Sequence, residues 1–174
     1  MQDTIVVIGG GHAAAQVVDS LRHEHFAGRL VLVGEEPLLP YQRPPLSKKF
    51  LAGEMEADRL PIRHAAFYET IHCELLLGNS VEAINTAARE LKLADGNRLG
   101  YDKLVLAVGG RARALPVPGA GLGGVHVLRT MADVTAIRAQ AAPGKRAVIV
   151  GAGYIGLECA ATFRKLGLEV TVIE

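Results

Sequence analysis

At 174 residues the chain is long enough for one good core or two small ones. Hydrophobic residues make up 49% and charged residues 21%, a balance that fits a soluble α/β protein. A formal net charge of +1 gives no case for binding nucleic acid or another polyanion, and 5% aromatic content leaves little for stacking bases.

The apolar run Thr4–Ile8 predicts a buried parallel strand. It leads into Gly9-Gly10-Gly11-His12-Ala13-Ala14, a G-x-G-x-x-A turn. Residues 12–25 predict a helix with Ala13, Val17, Val18 and Leu21 on one face, and residues 29–33 a second strand followed by Glu35. In a strand–turn–helix of this kind the first glycine permits the tight turn and the second admits a pyrophosphate close to the backbone. The third small residue lets helix and strand pack. The phosphates meet unpaired N–H groups at the positive end of the helix dipole. The acid about 20 residues on accepts ribose hydroxyls, and Glu35 lies 21 residues after Ala14.

Between Glu36 and Pro45 stand Pro37, Pro40, Pro44 and Pro45, which predict a stiff irregular loop. Residues 46–51 predict a short helix with Lys48 and Lys49 near its start, and residues 62–70 a weak helix. Residues 73–77 predict a strand. Residues 80–86, 89–94 and 98–101 alternate around the hairpin signal Asp95-Gly96-Asn97. Residues 103–108 predict another apolar strand ending at Gly109-Gly110. The prolines and glycines from Pro116 to Gly124 mark a crossing segment, and residues 131–141 a helix.

A second fingerprint follows the strand at 147–150. It is Gly151-Ala152-Gly153-Tyr154-Ile155-Gly156, read as G-x-G-x-x-G. Its helix runs to about Leu166, Gly167 caps it, and the strand 169–173 ends at Glu174, 18 residues after Gly156. An acid there favours NAD over NADP, because it repels a 2′-phosphate. Two such units predict a Rossmann-like α/β protein that holds two dinucleotides and passes electrons between them. The organisation expected is a first dinucleotide domain over 1–114, a crossing segment and helix over 115–145, and the start of a second dinucleotide domain over 146–174. Two strands and one helix cannot cover both faces of that last piece. The sequence thus reads as the N-terminal part of a longer enzyme or a truncated product, the alternative being a small single-lobed protein. Its uncovered sheet edges invite self-association.

Cys73 and Cys159 stand 86 positions apart with no close pair, which predicts two small buried apolar residues and argues against a redox disulfide or a zinc site. His64 and His72 have no partners at ligand spacing, so no metal is expected. With a strand beginning by residue 4 and no apolar run of bilayer length, the expected location is cytoplasmic.

Several stretches together resemble a known family: Val6–Ala13, Leu32–Pro37, Arg43-Pro44-Pro45-Leu46-Ser47-Lys48, Tyr101–Arg111, Leu128–Thr130 and Gly153–Glu158. The chain resembles the FAD-dependent, NADH-using ferredoxin reductases that serve bacterial aromatic-ring dioxygenases and cytochromes P450, with the related rubredoxin and putidaredoxin reductases. The R-P-P-L-S-K stretch is the most specific part. The chain departs from the family pattern at Val108, where a threonine is usual before the glycines.

The resemblance implies an FAD domain interrupted by an NADH domain. It gives Gly9, Gly11, His12 and Ala13 to the FAD pyrophosphate and Glu35 to the adenosine ribose. Arg43 and Lys48 would serve the pyrophosphate and flavin ring, and Val81 the adenine through its backbone. Ala107, Gly109 and Arg111 would line the approach, and Arg129 would complete the site. Gly151, Gly153, Tyr154, Ile155 and Gly156 would form the NADH turn, with Glu174 on its ribose. Lys48 and Glu158 are the implied catalytic pair, Glu158 pointing toward the nicotinamide. Taken alone, Arg43, Lys48 and Arg129 read as solvated surface cations and Glu158 as an ordinary helix residue. Tyr154 reads equally as a gate or as packing.

The activity implied for the parent enzyme carries a hydride from NADH to FAD and single electrons on to a ferredoxin or other small iron–sulfur protein, and the 174 residues alone are expected to be incomplete for turnover because half the nicotinamide site is missing. A disulfide-type reductase would need a cysteine pair near the first helix, which the sequence lacks. A non-catalytic flavin-binding module or a redox-sensing interaction protein is the reading from another class.

Overall fold

The computed structural model describes residues 3–174. The chain forms two compact units, Met1–Gln42 with Pro61–Gly109 and Arg43–Leu60 with Gly110–Glu174.

In the first unit, β1 (Thr4–Ile8), α1 (His12–His23) and β2 (Arg29–Gly34) are followed by α2 (Ala65–Thr70) and β3 (Cys73–Leu77). Next come β4 (Val81–Asn85), β5 (Glu90–Leu93), β6 (Arg98–Gly100) and β7 (Lys103–Leu106). One parallel sheet has the order β3-β2-β1-β7, and an antiparallel sheet has the order β4-β5-β6. The central strands carry continuous apolar runs, Ile5–Ile8 and Leu30–Val33, because both faces are covered there. Ile5, Val7, Leu30 and Leu32 pack with Ala14, Val18 and Tyr68 on one face. Val6, Ile8, Val31 and Val33 pack with Leu91, Leu93 and Leu99 of the antiparallel sheet on the other. Each buried valine, leucine or isoleucine contributes about 1.5–3 kcal/mol by leaving water. The turn at Asp95–Asn97 fixes the β5–β6 hairpin: the Asp95 carboxylate accepts from the Asn97 N–H (2.9 Å), and Gly96 takes φ +86°.

In the second unit, α3 (Met131–Gln140), β8 (Arg146–Val150), α4 (Tyr154–Lys165) and β9 (Glu169–Ile173) follow two 3₁₀ turns at Pro44–Ser47 and Ala57–Arg59. A capping box starts α3, with the Thr130 hydroxyl on the Asp133 N–H and the Asp133 carboxylate on the Thr130 N–H. Parallel β8 and β9 stand as a two-stranded sheet.

Four local expectations change. The helix expected over 46–51 is a 3₁₀ turn over Pro44–Ser47, because Pro44 and Pro45 open it and Lys48 leaves it at φ −123°, ψ −111°. The helical stretch at 62–70 shortens to α2. The strand expected over 103–108 ends at Leu106, and Val108 is 65% exposed. Lastly, α1 turns Ala14, Ala15 and Val18 inward and leaves Ala13 exposed, because the third small position of the glycine turn is the one that faces the strand.

Candidate functional site

The two glycine turns repeat one geometry. The Gly9 N–H donates to the Val33 carbonyl (2.9 Å), and the Gly151 N–H donates to the Ile173 carbonyl (2.8 Å). Gly11 and Gly153 cap their helices, their carbonyls accepting from the Ala15 N–H (3.1 Å) and the Leu157 N–H (3.0 Å).

The structure separates glycines that the fold requires from glycines it does not. Gly9 sits at φ +143°, and a Cβ there would lie 2.2 Å from the Ala107 carbonyl oxygen. A Cβ on Gly156 would lie 2.0 Å from the Gly151 carbonyl oxygen. Both positions exclude any side chain. Gly11 (φ −117°) and Gly153 (φ −69°) have ordinary backbone, and a Cβ on either would meet nothing within 4 Å. Packing and backbone conformation leave these two positions open to alanine. The open space in front of each, at the N-terminus of a 12-residue helix, fits an anion that must approach the backbone. The residues present therefore fit a dinucleotide at both turns.

The other expected contacts of the first unit are distributed around this turn. His12 and Ala13 are exposed on the first turn of α1 and open on a cavity of about 340 Å³ that Gln16, Asp19, Ile62 and Arg63 also line. Glu35 is exposed just past β2. The segment after β2 is pinned to the segment before β4 by Asn79 N–H to Gly34 O and Gly78 N–H to Glu36 O, both 3.0 Å. That brings half-buried Val81 next to the β2 end of the sheet, where it packs on the Val31–Leu93 core. The Ala107 N–H donates to the Ile8 carbonyl (2.8 Å), and Gly109 follows at φ +65°.

In the second unit, the Arg43 guanidinium donates to the Arg129 carbonyl (2.7 Å), which joins two of the expected residues. Arg111 is exposed in an irregular stretch. Tyr154 (90%) and Ile155 (58%) are exposed at the start of α4. The Glu174 carboxylate accepts from the Ala152 N–H, so the acid expected on a ribose stands at the glycine turn itself.

Lys48 and Glu158 meet. The Lys48 ammonium lies 2.6 Å from Glu158 Oε2, and the same oxygen accepts from the Ser47 hydroxyl at 2.6 Å. The Lys48 ammonium also reaches the Pro44 carbonyl (3.4 Å). These bonds, Lys48 first and Ser47 second, hold the Glu158 carboxyl below the usual carboxylate range. Beside it on α4, burial and then the Glu158 charge push the Cys159 thiol up to about 11, so it stays protonated and inert at neutral pH. Burial does the same to Cys73 in the first unit, again to about 11. Both cysteines are free. Among the described residues no group of His, Cys, Asp and Glu could hold a metal ion, and no helix is long and apolar enough to cross a membrane.

Sequence reasoning did not single out Ser47 and Thr162. The Thr162 hydroxyl donates to the Ser47 carbonyl (2.9 Å), one helical turn beyond Glu158. The i, i+4 spacing of Glu158 and Thr162 on α4 was the available signal.

A parallel sheet led by one glycine turn, and a second glycine turn opening a second βαβ piece, define a protein built around two dinucleotide-type turns. Fold and sequence then agree on the class. The chain belongs to the pyridine nucleotide-disulphide oxidoreductase family, whose sequence profile it matches over residues 3–174. It is 46% identical over 177 residues to a ferredoxin–NAD(P)(+) reductase of Sphingomonas sp, an alignment that covers 100% of this chain and 43% of that protein. Among solved structures it is similar to the ferredoxin reductase for the CYP199A2 system from Rhodopseudomonas palustris, with TM-score 0.93 and 43% identity over 98% of this chain and 42% of that one. It is similar also to the covalent putidaredoxin reductase–putidaredoxin complex, with TM-score 0.91 and 41% identity over 98% of this chain and 42% of that one. The chain spans about two fifths of the length of these relatives, 42–43%. Its fold is the Rossmann-like α/β fold of these reductases.

Proposed function

We propose that this chain is the N-terminal part of a flavoprotein oxidoreductase that takes electrons from NADH through FAD to a ferredoxin or similar small iron–sulfur protein serving an oxygenase. The observation that carries the reading is the pair of open glycines. Gly11 and Gly153 are required neither by backbone conformation nor by packing, and an approaching pyrophosphate explains both.

In this reading residues 1–114 belong to the FAD domain, 115–145 to the crossing segment and helix, and 146–174 to the beginning of the NADH domain. The α1 N-terminus, with Gly9, Gly11, His12 and Ala13, holds the FAD pyrophosphate, and Glu35 takes the ribose hydroxyls. Val81 offers backbone to the adenine, and Ala107, Gly109 and Arg111 line the approach. Arg43, braced on the Arg129 carbonyl, supplies positive charge to the phosphates. Gly151 to Gly156 hold the NADH pyrophosphate. Glu174, now on the Ala152 N–H, exchanges that donor for the ribose and disfavours a 2′-phosphate.

FAD, when bound, supplies an acceptor for the hydride that also releases electrons one at a time. Lys48 offers a positive charge to the reduced flavin, and Glu158 holds the ammonium in place by pairing with it. No protein nucleophile is needed. A reductase fed by NADH works where that nucleotide is kept, so the reading carries a cytoplasmic location with it.

The test is an anaerobic titration. The full-length protein to which this chain belongs is loaded with FAD, its visible spectrum recorded, and NADH added. Bleaching of the bound flavin that an added ferredoxin reverses supports the proposal. Bound flavin that stays oxidised replaces it with a flavin-binding module, and no bound flavin overturns it.

A further inference from the structure

We infer that Ser47 is a positioning residue for the Lys48–Glu158 pair, and that Thr162 holds Ser47 in place. The role in turnover rests on the proposed function, and the anchoring rests on the hydrogen-bond geometry alone.

Besides the tyrosines, the buried polar side chains among the described residues are Ser47 at 4% exposure and Thr162 at 8%. A buried hydroxyl costs free energy unless it is bonded, so two buried hydroxyls in one cluster imply that both have partners. Both partners lead to the ion pair. The single Ser47 hydroxyl proton goes to Glu158 Oε2 at 2.6 Å, since its other neighbour, the Pro44 carbonyl, is at 3.5 Å. The Thr162 hydroxyl goes to the Ser47 carbonyl at 2.9 Å. Glu158 and Thr162 thus grip the 3₁₀ turn at two consecutive points from adjacent turns of α4, and Lys48 is the next residue along.

The ion pair alone would not fix this geometry. The side chains of Lys48 and Glu158 are 49% and 34% exposed, and at that exposure an ion pair contributes little and tolerates many rotamers. The buried hydroxyls supply the missing restraint. With Oε2 taken by Ser47 and Lys48, Oε1 receives no hydrogen bond among the described residues and stays available as an acceptor. The titratable neighbours are Lys48 on the 3₁₀ side and Cys159 on the helix side, and the latter is protonated.

The experiment follows Glu158 directly and the reaction separately. Glu158 in 13C-glutamate-labelled protein is titrated by NMR in wild type, Ser47→Ala, Ser47→Thr, Thr162→Val and Thr162→Ser, with E158Q to assign the signal. In Ser47→Ala the Glu158 midpoint rises toward the ordinary carboxylate range, in Thr162→Val it rises less, and both hydroxyl-retaining variants stay near wild type. In FAD-loaded protein, flavin reduction by NADH falls about tenfold in Ser47→Ala, with KM for NADH within about twofold of wild type. A Glu158 midpoint unmoved by Ser47→Ala overturns the anchoring. A moved midpoint with unchanged reduction overturns the positioning role. If wild type itself is not reduced, the proposed function fails, and the titration still decides the anchoring. If Ser47→Ala does not fold, the Thr162→Val and Thr162→Ser pair decides the same question.

Discussion

The β1–α1–β2 and β8–α4–β9 units share their local geometry and differ in what covers their strands. The likeness extends to the helix ends. After α1 the Phe26 N–H reaches the Leu21 carbonyl and the His25 N–H the Arg22 carbonyl; after α4 the Leu168 N–H reaches Phe163 and the Gly167 N–H reaches Arg164. Both are Schellman ends, and in both an arginine at the same position, Arg22 or Arg164, donates to the carbonyl of the residue that closes the motif. The burial differs. In β1 and β2 both faces are covered, and Val6, Val7, Val31 and Leu32 are fully buried. In β8 and β9 only the α4 side is sheltered, and Val148 (65%), Val150 (57%) and Ile173 (49%) are exposed. Turn and cap chemistry is therefore local and follows from a dozen residues, whereas burial depends on neighbours that the motif does not contain.

The largest expected break in the likeness is within each turn. Gly9→Ala places a Cβ into the Ala107 carbonyl and lowers stability by about 3–5 kcal/mol in urea unfolding. Gly156→Ala acts in the same way on the second unit. Gly11→Ala costs at most about 1 kcal/mol, as expected for alanine at a helix cap without a clash. A large loss at Gly11 would show that the fold, and no ligand, demands that glycine.

Next comes burial. Leu32→Ala removes a fully buried side chain and costs about 2–5 kcal/mol, while Val148→Thr changes stability by less than about 0.5 kcal/mol. Equal costs would contradict the difference between the two units. Smaller still, His25 holds the left-handed position (φ +61°) that Gly167 fills in the second unit at φ +82°. His25→Gly should raise stability by about 0.5–1 kcal/mol, measured by the urea midpoint at constant slope. No gain would mean that the two helix ends are not equivalent.

The smallest effect is the pH dependence of the Lys48–Glu158 pair. The native carboxyl is held below its unfolded value, so the pair's contribution is present in full above the ordinary glutamate range and is lost as pH falls through the lowered native value. Wild type and Glu158→Gln should differ at neutral pH and converge in acid. A difference that grows on acidification would reverse that sign.

Much of this was legible in the sequence for physical reasons. Residues 4–8 and 29–33 read as buried strands because a parallel strand covered on both faces shows a near-continuous apolar run, here Ile5–Ile8 and Leu30–Val33. The hairpin at Asp95–Asn97 carries its own turn chemistry. The Lys48–Glu158 contact was expected from a family resemblance, since nothing local in either residue points to the other. What stayed hidden was long in sequence and short in space. Ser47 and Thr162 are 115 positions apart, and Arg43 and Arg129 are 86 apart. The short helix expected over 46–51 is instead a 3₁₀ turn at Pro44–Ser47, because the two prolines open the turn earlier and the Lys48 backbone ends it. The inward face of α1 was misjudged at Ala13 because the glycine turn, and not helical periodicity alone, sets which residue meets the strand.

The central claim is that Gly11 is kept by a ligand and not by the fold. Its most direct measurement is FAD binding to wild type and Gly11→Ala, by flavin fluorescence, beside urea unfolding of each without added nucleotide. Nearly equal stability with at least tenfold weaker FAD binding in the variant is the result expected. Equal FAD affinity in the two proteins, or no FAD binding by either, would contradict it.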